Sequence, residues 1–231
     1  MGMNNSRNFD LLTLGQVLLR LSPPDNERLS RGDTFVKQVG GAELNVAVGA
    51  ALLGLHTGVI SKLPAHDIGS FMKGKIRSFG VSDDFFMYDQ SSSARVGIYY
   101  YENGAYPRKP KVIYDRNNSS FFSLNIDEIP EEVYTASKCF HTTGITLALN
   151  EDIRETTIDM IKRFKAAGTL VSFDVNFRGN LWTGDEAREC ILRILPYVDI
   201  FFCSEDTARL TFLKTGTARE MMKSFKIGRA S

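Results

Sequence analysis

Residues 39–64 read VGGAELNVAVGAALLGLHTGVISKLP, and this stretch decides the fold. From Ala42 to Leu53, small and apolar residues recur at helical spacing, and Gly54 provides a helix end. The run from Thr57 to Lys62 then predicts a buried strand. A helix and a strand in this order are typical of proteins in which helices cover a mostly parallel sheet.

The same alternation of strands and helices continues on both sides of this stretch. Short apolar runs predict strands, and periodic segments predict helices. The predicted strands are Phe9–Leu14, Phe85–Tyr88, Lys138–Thr143, Leu170–Val175 and Val198–Cys203, and the predicted helices are Asp67–Phe79, Asp152–Ala167, Asp185–Leu195 and a short one from Glu205. Asn150 and Gly168 are the predicted caps of the longest helix. The pattern predicts an α/β fold with a mostly parallel sheet covered on both faces.

Two segments, 18–39 and about 94–116, do not fit this alternation. Residues Arg31–Val39 are predicted to be extended. The runs Ala94–Tyr101 and Lys111–Arg116 are rich in aromatic residues and flank a connection that contains glycine and prolines, which predicts a hairpin. We therefore expect a small accessory sheet beside the main α/β unit.

Composition excludes several classes of protein. With 231 residues, 43% of them hydrophobic, the chain can bury one sizeable core. A net charge of +1 gives no support for nucleic-acid binding. No run approaches the ~20 apolar residues of a membrane span, and the first ten residues, MGMNNSRNFD, lack the apolar core of a secretory signal. We expect a cytoplasmic protein that contacts neither nucleic acid nor membrane.

The three cysteines, Cys139, Cys190 and Cys203, show no paired spacing. The sequence therefore predicts neither a disulfide framework nor a cysteine metal site. Cys139 and Cys203 lie in apolar runs, and we expect both to be buried packing thiols.

The first candidate site is the glycine pair Gly40–Gly41 with Asn45 one turn into the following helix. Glycines allow a ligand to approach the backbone, and an Asn amide offers a donor and an acceptor to a pair of hydroxyls. An ordinary tight turn before a helix explains the same residues equally well. The sequence has no G-x-G-x-x-G or G-x-x-x-x-G-K-[ST] motif, so neither a dinucleotide site nor a P-loop is indicated.

The second candidate is the aromatic hairpin with Tyr99, Tyr114 and Arg116. Tyrosine combines an apolar face with a polar tip, and an arginine can bind a carboxylate with two hydrogen bonds. The alternative is cross-strand packing with solvated ends, which we favour for Tyr100 and Tyr101.

The third candidate is SFDVNFRGNLW, residues 172–182. Asp174, Asn176 and Arg178 occupy alternate positions where a predicted strand ends, so an extended chain would point all three to one side. Arg178 is a candidate clamp for a phosphate or a carboxylate.

The fourth candidate is Ser204–Glu205–Asp206, after the predicted strand at 198–203. These acidic residues either bind magnesium through water or place charge in the first turn of a helix. We favour the second reading for Asp206, and the metal ligands stay unknown.

Together these motifs resemble those of a known family. GGAELNVA, VGIYY, KVIYDRNNSS, HTTGIT and FDVNFR occur in this order, and the whole resembles the PfkB (ribokinase-like) carbohydrate kinases, closest to 2-keto-3-deoxygluconate kinases. The resemblance covers roughly residues 9 to 213. It implies a ribokinase-like, Rossmann-type three-layer sandwich with a small β-sheet lid, formed by residues 1–231 as a single domain.

The resemblance also implies a chemistry and a set of site residues. The γ-phosphate of ATP would pass to a primary hydroxyl of a keto-acid sugar, with Mg²⁺ and without a tightly bound cofactor. By this resemblance, Gly40, Gly41 and Asn45 would hold sugar oxygens, and Tyr99, Tyr114 and Arg116 would contact the sugar and its carboxylate from the lid. Arg178 would lie between the sugar and the phosphate, and Asn176 would lie on the nucleotide side.

The sequence also departs from the family pattern. The family's catalytic Asp lies in a G-A-G-D motif that these 231 residues do not contain. From this and from the tail at 222–231 we expect a chain truncated at its C-terminus, without its catalytic residue and therefore inactive. Ser204 and Thr207 stand where many relatives carry N-x-x-E, and Gln16 follows Gly15 where many carry Gly-Glu.

Three functions stay open at this point. The first is a 2-keto-3-deoxygluconate kinase by descent, and the second is a sugar-acid-binding fragment without catalysis. The third is another PfkB sugar kinase, such as a fructokinase, which would have no need of the charge of Arg116. The expected partner is a small sugar acid, and a homodimer or higher oligomer formed through the lid is left open.

Overall fold

The structure is a computed structural model that describes residues 7–226. The expectations for residues 1–6 and for the second half of the tail at 222–231 lie outside the described residues. Two sheets and flanking helices build the described part of the chain.

The strands are β1 (Phe9–Leu14), β2 (Leu18–Ser22), β3 (Val36–Gly40), β4 (Thr57–Pro64), β5 (Val81–Ser82), β6 (Phe86–Asp89), β7 (Gly97–Glu102), β8 (Lys111–Asp115), β9 (Ser137–Thr143), β10 (Leu170–Asp174) and β11 (Ile200–Phe202). The helices are α1 (Ala42–Leu52), α2 (Asp67–Ser78), α3 (Val133–Ala136), α4 (Gly144–Leu147), α5 (Glu151–Ala166), α6 (Gly184–Ile194), α7 (Glu205–Leu210) and α8 (Ala218–Lys226), with 3-10 turns at Ser120–Ser123, Ile126–Glu128 and Leu195–Tyr197.

The main sheet is parallel and has the strand order β11-β10-β9-β1-β4-β5, with β6 also paired to β4. Val59 and Ile60 are neighbours on β4 and belong to two different apolar clusters, so these clusters lie on opposite faces of the sheet. Helices α5 and α6 contribute to the Ile60 cluster, whereas α1 and α2 contribute to the Val59 cluster. The predicted α/β fold with a mostly parallel sheet is confirmed, and helices lie on both of its faces.

The small sheet has the order β3-β2-β7-β8. Strands β7 and β8 form the predicted antiparallel hairpin, and β2 joins it in parallel. The extended stretch predicted from Arg31 is wrong in its first half, since the strand begins only at Val36. Gly32, at φ 74°, bends the chain before it, because a positive φ is incompatible with a strand. We call this small sheet the lid sheet.

Local signals account well for the longest helix. The side chain of Asn150 accepts a hydrogen bond from the Ile153 N–H at 2.8 Å, as an N-cap does. Gly168 follows the helix at φ 74°. Among residues 7–226, no helix is long and apolar enough to cross a membrane.

The cysteines differ from the prediction. All three are free, but Cys139 and Cys203 are only half-buried, and Cys190 is the buried one. Cys203 comes directly after the edge strand β11, so it is covered less than an interior strand residue would be. Partial burial is still the main cause that raises the pKa of Cys139 and of Cys203 to about 11 each, which disfavours their thiolates.

Candidate functional site

Loops and helix starts converge at the carboxyl ends of β1 and β9, the edge where parallel sheets bind ligands. Gly15 and Gln16 follow β1, and Thr143 ends β9 and begins the short helix α4. The first turn of α1 lies across both strand ends. Its Glu43 contacts Thr143 and lies against Gly15.

Both glycines of the predicted pair are required by close contacts. A Cβ at Gly40 would overlap the hydroxyl oxygen of Tyr99. A Cβ at Gly41, where φ is 151°, would lie 2.7 Å from the carbonyl oxygen of Gln16. The pair therefore joins the lid sheet to α1 at a point where no side chain fits.

Asn45 lies one turn into α1, and its backbone N–H donates to the carbonyl of Gly41 at 2.9 Å. Its side chain is exposed, unlike those of Glu43 and Leu44 on the buried face of the same helix. Asn45 is thus available to a ligand placed beside the glycine pair.

Glu43 is a buried carboxyl that the sequence analysis missed. It is 2% exposed, and its Oε1 accepts hydrogen bonds from the hydroxyls of Thr143 at 2.6 Å and Thr146 at 2.7 Å. Burial raises the pKa of Glu43, and the two threonines and the charge of Arg116 oppose that rise. The sequence carries no direct signal for Glu43, because its hydroxyl partners lie about a hundred residues away along the chain.

Arg116 follows the last lid strand and is held by Gln16. Its Nε–H donates to Gln16 Oε1 at 2.8 Å, and its carbonyl accepts from Gln16 Nε2 at 3.1 Å. The guanidinium carbon lies 5.6 Å from the ring centroid of Tyr114. Burial lowers the pKa of Arg116, and Glu43 opposes that shift. Within residues 7–226, its Nη1 and Nη2 groups take part in no hydrogen bond or ion pair with the protein.

Tyr99 and Tyr114 are cross-strand partners in the lid sheet, with ring centroids 6.0 Å apart. Tyr99 is half-buried, which raises the pKa of its phenol, and nearby Arg20 opposes the rise. Tyr114 is 49% exposed. The structure therefore brings five of the predicted residues together, namely Gly40, Gly41, Tyr99, Tyr114 and Arg116.

The segment after β10 lies two strands away from β1, and its predicted geometry was wrong. Asn176 has φ 37°, in the left-handed region, so the chain is not extended there. The cause is a local turn, in which Asp174 Oδ1 accepts the N–H of Asn176 at 3.0 Å. Desolvation raises the pKa of Asp174, and this hydrogen bond opposes the rise.

Arg178 is exposed in the loop that follows this turn. Its side chain donates to the carbonyl of Phe177 at 3.3 Å, and it forms no ion pair with any residue of the described chain. Contacts of Gly144 with Val175 and Trp182 connect this loop to the end of β9. Arg178 and Asn176 thus share the sheet edge with the glycine pair but do not touch it.

Ser204 caps α7, since its hydroxyl accepts the N–H of Thr207 at 3.2 Å. Glu205 and Asp206 lie in the first turn of that helix, where acidic side chains are favourable. The part of the chain that is described contains no group of three or more His, Cys, Asp or Glu side chains arranged to hold a metal. The segment acts here as a helix start.

Comparison with known proteins decides the family. A family model described as pfkB family carbohydrate kinase matches residues 8–228. The chain belongs to the pfkB family.

Among curated pfkB relatives, the 2-dehydro-3-deoxygalactonokinase of Haloferax volcanii is 36% identical over 209 residues, which are 90% of this chain and 65% of the relative. The 2-dehydro-3-deoxygluconokinase of Bacillus subtilis is 30% identical over 174 residues, or 75% of this chain and 53% of the relative. The probable fructokinase-3 of Arabidopsis thaliana is 30% identical and matches 84% of this chain and 56% of its own length. The chain thus spans about half to two thirds of these relatives.

The solved structures agree with the pfkB fold. The 2-dehydro-3-deoxygluconokinase of Thermotoga maritima has a TM-score of 0.86 at 32% identity, over 95% of this chain and 68% of that one. An uncharacterized sugar kinase of Pyrococcus horikoshii in complex with ATP has a TM-score of 0.76 at 25% identity, over 88% of this chain and 66% of that one. The ribokinase-like three-layer sandwich with a lid sheet is confirmed.

Proposed function

We propose that the whole protein is an ATP-dependent kinase of a 2-keto-3-deoxy sugar acid, either 2-keto-3-deoxygluconate or its galactonate epimer. The observation that carries the proposal is Arg116, a largely desolvated cation beside Tyr114 whose Nη groups are unpaired within the described chain. A desolvated guanidinium with free N–H groups is suited to a carboxylate, which it can bind with two parallel bonds.

The other site residues fit the remainder of such a substrate. Gly41 is partly exposed beside the buried Gly40, so a ligand can approach its backbone, and the exposed amide of Asn45 offers a donor and an acceptor to hydroxyl groups. Tyr99 and Tyr114 present ring surface and phenol groups from the lid sheet. Each of these assignments is part of the proposal.

The phosphate side of the proposal uses Arg178, with Asn176 toward the nucleotide. An exposed guanidinium at the carboxyl end of β10 is suited to neutralise charge on a phosphoryl group in transfer. Phosphoryl transfer depends on positioning and charge neutralisation more than on covalent catalysis by the protein. We assign no residue of this chain to magnesium and none to the catalytic base, and for this chain itself we propose binding of the sugar acid.

The proposal extends to the organisation of the protein. We treat the chain as one α/β domain whose lid comprises residues of about 18–39 and 94–116, and as a cytoplasmic protein. Val36, Val112 and Ile113 are exposed on the lid sheet and are the surface through which an oligomer would form.

A fructokinase is the second candidate, favoured by the similarity to the Arabidopsis thaliana protein. Calorimetric titration of this chain with 2-keto-3-deoxygluconate and with fructose separates the two. We expect the acid to bind at least about tenfold more tightly, because a charge-assisted hydrogen bond contributes roughly 1.5–3 kcal/mol. Fructose binding as tightly as the acid would replace the sugar-acid proposal with the second candidate.

A further inference from the structure

The lid sheet carries an arginine, Arg20, to which the proposed function gives no role. Strand register places Arg20 of β2 beside Tyr99 of β7, and Tyr114 of β8 follows in the same cross-strand row. The Tyr99 hydroxyl lies against Gly40, so this row is on the side of the sheet that meets the glycine pair. The neighbouring residue Leu19 points the other way, into the apolar cluster that α1 and α2 share. Arg20 therefore lies on the side of the lid sheet that faces the proposed ligand.

Two neighbours on the same side of the sheet hold Arg20 in place. Its Nε donates to Ser22 Oγ at 2.9 Å, and its guanidinium carbon lies 4.3 Å from the ring centroid of Tyr101. No residue of the described chain forms an ion pair with Arg20, although other arginines of the lid sheet are paired. The guanidinium is thus fixed beside Tyr99 and is not neutralised by a carboxylate.

The contact between Arg20 and Tyr99 determines how the phenol group can act. Burial raises the pKa of Tyr99, and the charge of Arg20 and a hydrogen bond from its side chain oppose that rise. A guanidinium only donates hydrogen bonds, so the phenol oxygen accepts this bond and directs its own O–H elsewhere. Tyr99 is thereby left as a hydrogen-bond donor next to Gly40, in the position of the proposed ligand.

We propose that Arg20 is a positioning residue that fixes the Tyr99 hydroxyl as a hydrogen-bond donor to the 2-keto oxygen of the sugar acid. A keto oxygen only accepts, so one fixed donor satisfies it, whereas a hydroxyl in its place brings a proton that needs an acceptor. Arg20 acts through Tyr99 and favours a keto acid over the corresponding hydroxy acid. The inference rests on the proposed function, because it takes the keto sugar acid to be the ligand.

The test is calorimetric titration of the purified chain with 2-keto-3-deoxygluconate and with 3-deoxygluconate, its 2-hydroxy counterpart. Both ligands carry the same carboxylate, so the ratio of their affinities isolates the contribution of the keto group. In Arg20→Met, which keeps a long side chain but removes every N–H, we expect the ratio of keto-acid to hydroxy-acid affinity to fall about fivefold. A merely structural role would weaken both ligands equally, so an unchanged ratio would overturn the inference.

A double-mutant cycle with Tyr99→Phe separates positioning from direct contact. Tyr99→Phe removes the phenol hydroxyl and should lower the same ratio by a similar factor. Adding Arg20→Met to Tyr99→Phe should then lower the ratio no further, because Arg20 acts through the hydroxyl that is already gone. A further fall in the double variant would mean that Arg20 reads the keto group itself, and the inference would fail.

The remaining measurements provide the control and keep the test decisive. Arg31→Met makes the same chemical change at an exposed position in the loop before β3 and should leave both affinities unchanged. An unchanged ratio in Tyr99→Phe would refute the inference even if Arg20→Met failed to fold. If the unmodified chain bound neither acid, the proposed function and the inference would fail together, whereas equal binding of both acids would contradict the inference alone.

Discussion

On one face of the main sheet, side chains are buried in one half and exposed in the other. Near β4, side chains on this face such as Val59 and Leu63 are buried under α1 and α2. Strand register places Ile200 of β11 on the same face, yet it is 42% exposed, and Phe202 is 54% exposed. We call the half around β4 the covered half and the half around β11 the open half.

The polar groups of the two halves differ in the same way. In the covered half, Glu43 and Gln16 are buried and hydrogen-bonded, and Arg116 is oriented by the amide of Gln16. In the open half, the side chain of Arg178 is exposed and, among the described residues, donates only to the carbonyl of Phe177. A group that neighbours hold in place costs less conformational entropy to use in binding. The covered half is therefore preorganised for recognition, and the open half is not.

The largest expected effect separates the two arginines. Arg116→Ala should weaken binding of 2-keto-3-deoxygluconate, measured by calorimetry without nucleotide, by about 2–3 kcal/mol, or roughly 30- to 150-fold. Arg178→Ala should change the same affinity by less than about threefold, because its guanidinium is exposed and not oriented toward the lid cluster.

Arg193→Ala is the matched control, since this arginine pairs with Glu155 on the helical side of the protein, at 2.6 Å. It should leave the affinity unchanged. Equal losses of affinity in the Arg116 and Arg178 variants would contradict the conclusion that only the covered half is preorganised for recognition.

The strands were more predictable from the sequence than the pairings and turns that connect them. Hydrophobic runs placed β1, β9 and β10 within one residue at each end, because burial on both faces gives strands a strong compositional signal. The pair β2 and β7 was not predicted as parallel neighbours, since that pairing depends on contacts distant in sequence. The extended conformation predicted at Asn176 was wrong because the strand pattern was continued past the end of β10, where the side chain of Asp174 closes a turn.

The candidate site was predictable by residue type rather than by contact. Glycines, tyrosines and Arg116 have visible signatures, and the structure assembles them. The supporting groups Gln16 and Glu43 have none of their own, because a buried amide and a buried carboxyl are recognised by their partners. Those partners, Ser119 and Thr143, lie about a hundred residues away in sequence.

A smaller effect is expected from Gly40→Ala, which tests how tightly the covered half is built. The added methyl group would overlap the Tyr99 hydroxyl, so the lid strand has to shift. We expect unfolding free energy to fall by about 1–3 kcal/mol and the affinity for the sugar acid to fall with it.

Gly49→Ala is the control within the adjoining helix α1. Its added methyl group meets open space, and removing a helical glycine stabilises by about 0.5–1 kcal/mol. Urea denaturation and calorimetry on both variants measure the contrast. If Gly40→Ala were as harmless as Gly49→Ala, the close approach of Gly40 and Tyr99 would not constrain the site.

The smallest expected effect is on the pH dependence of the free energy of unfolding, to which the buried Glu43 contributes. Burial raises the pKa of Glu43 above its ordinary value of 4.5, so the native state keeps this proton at pH values where the unfolded chain has lost it. The free energy of unfolding therefore falls as pH rises from 4.5 through the raised pKa, because there the native state binds more protons. Glu43→Gln keeps an acceptor for Thr143 and Thr146 and removes the titration.

Glu43→Gln should consequently be more stable than the unmodified chain at neutral pH, and the advantage should shrink as pH is lowered toward 4.5. Urea denaturation across this pH range measures the difference, with Glu189→Gln on the exposed face of α6 as the control that should show no such trend. An advantage that grew as pH fell would mean that the native carboxyl is stabilised in its charged form. In that case the charge of Arg116 would outweigh burial, and Arg116 would already be neutralised by Glu43 in the absence of a ligand.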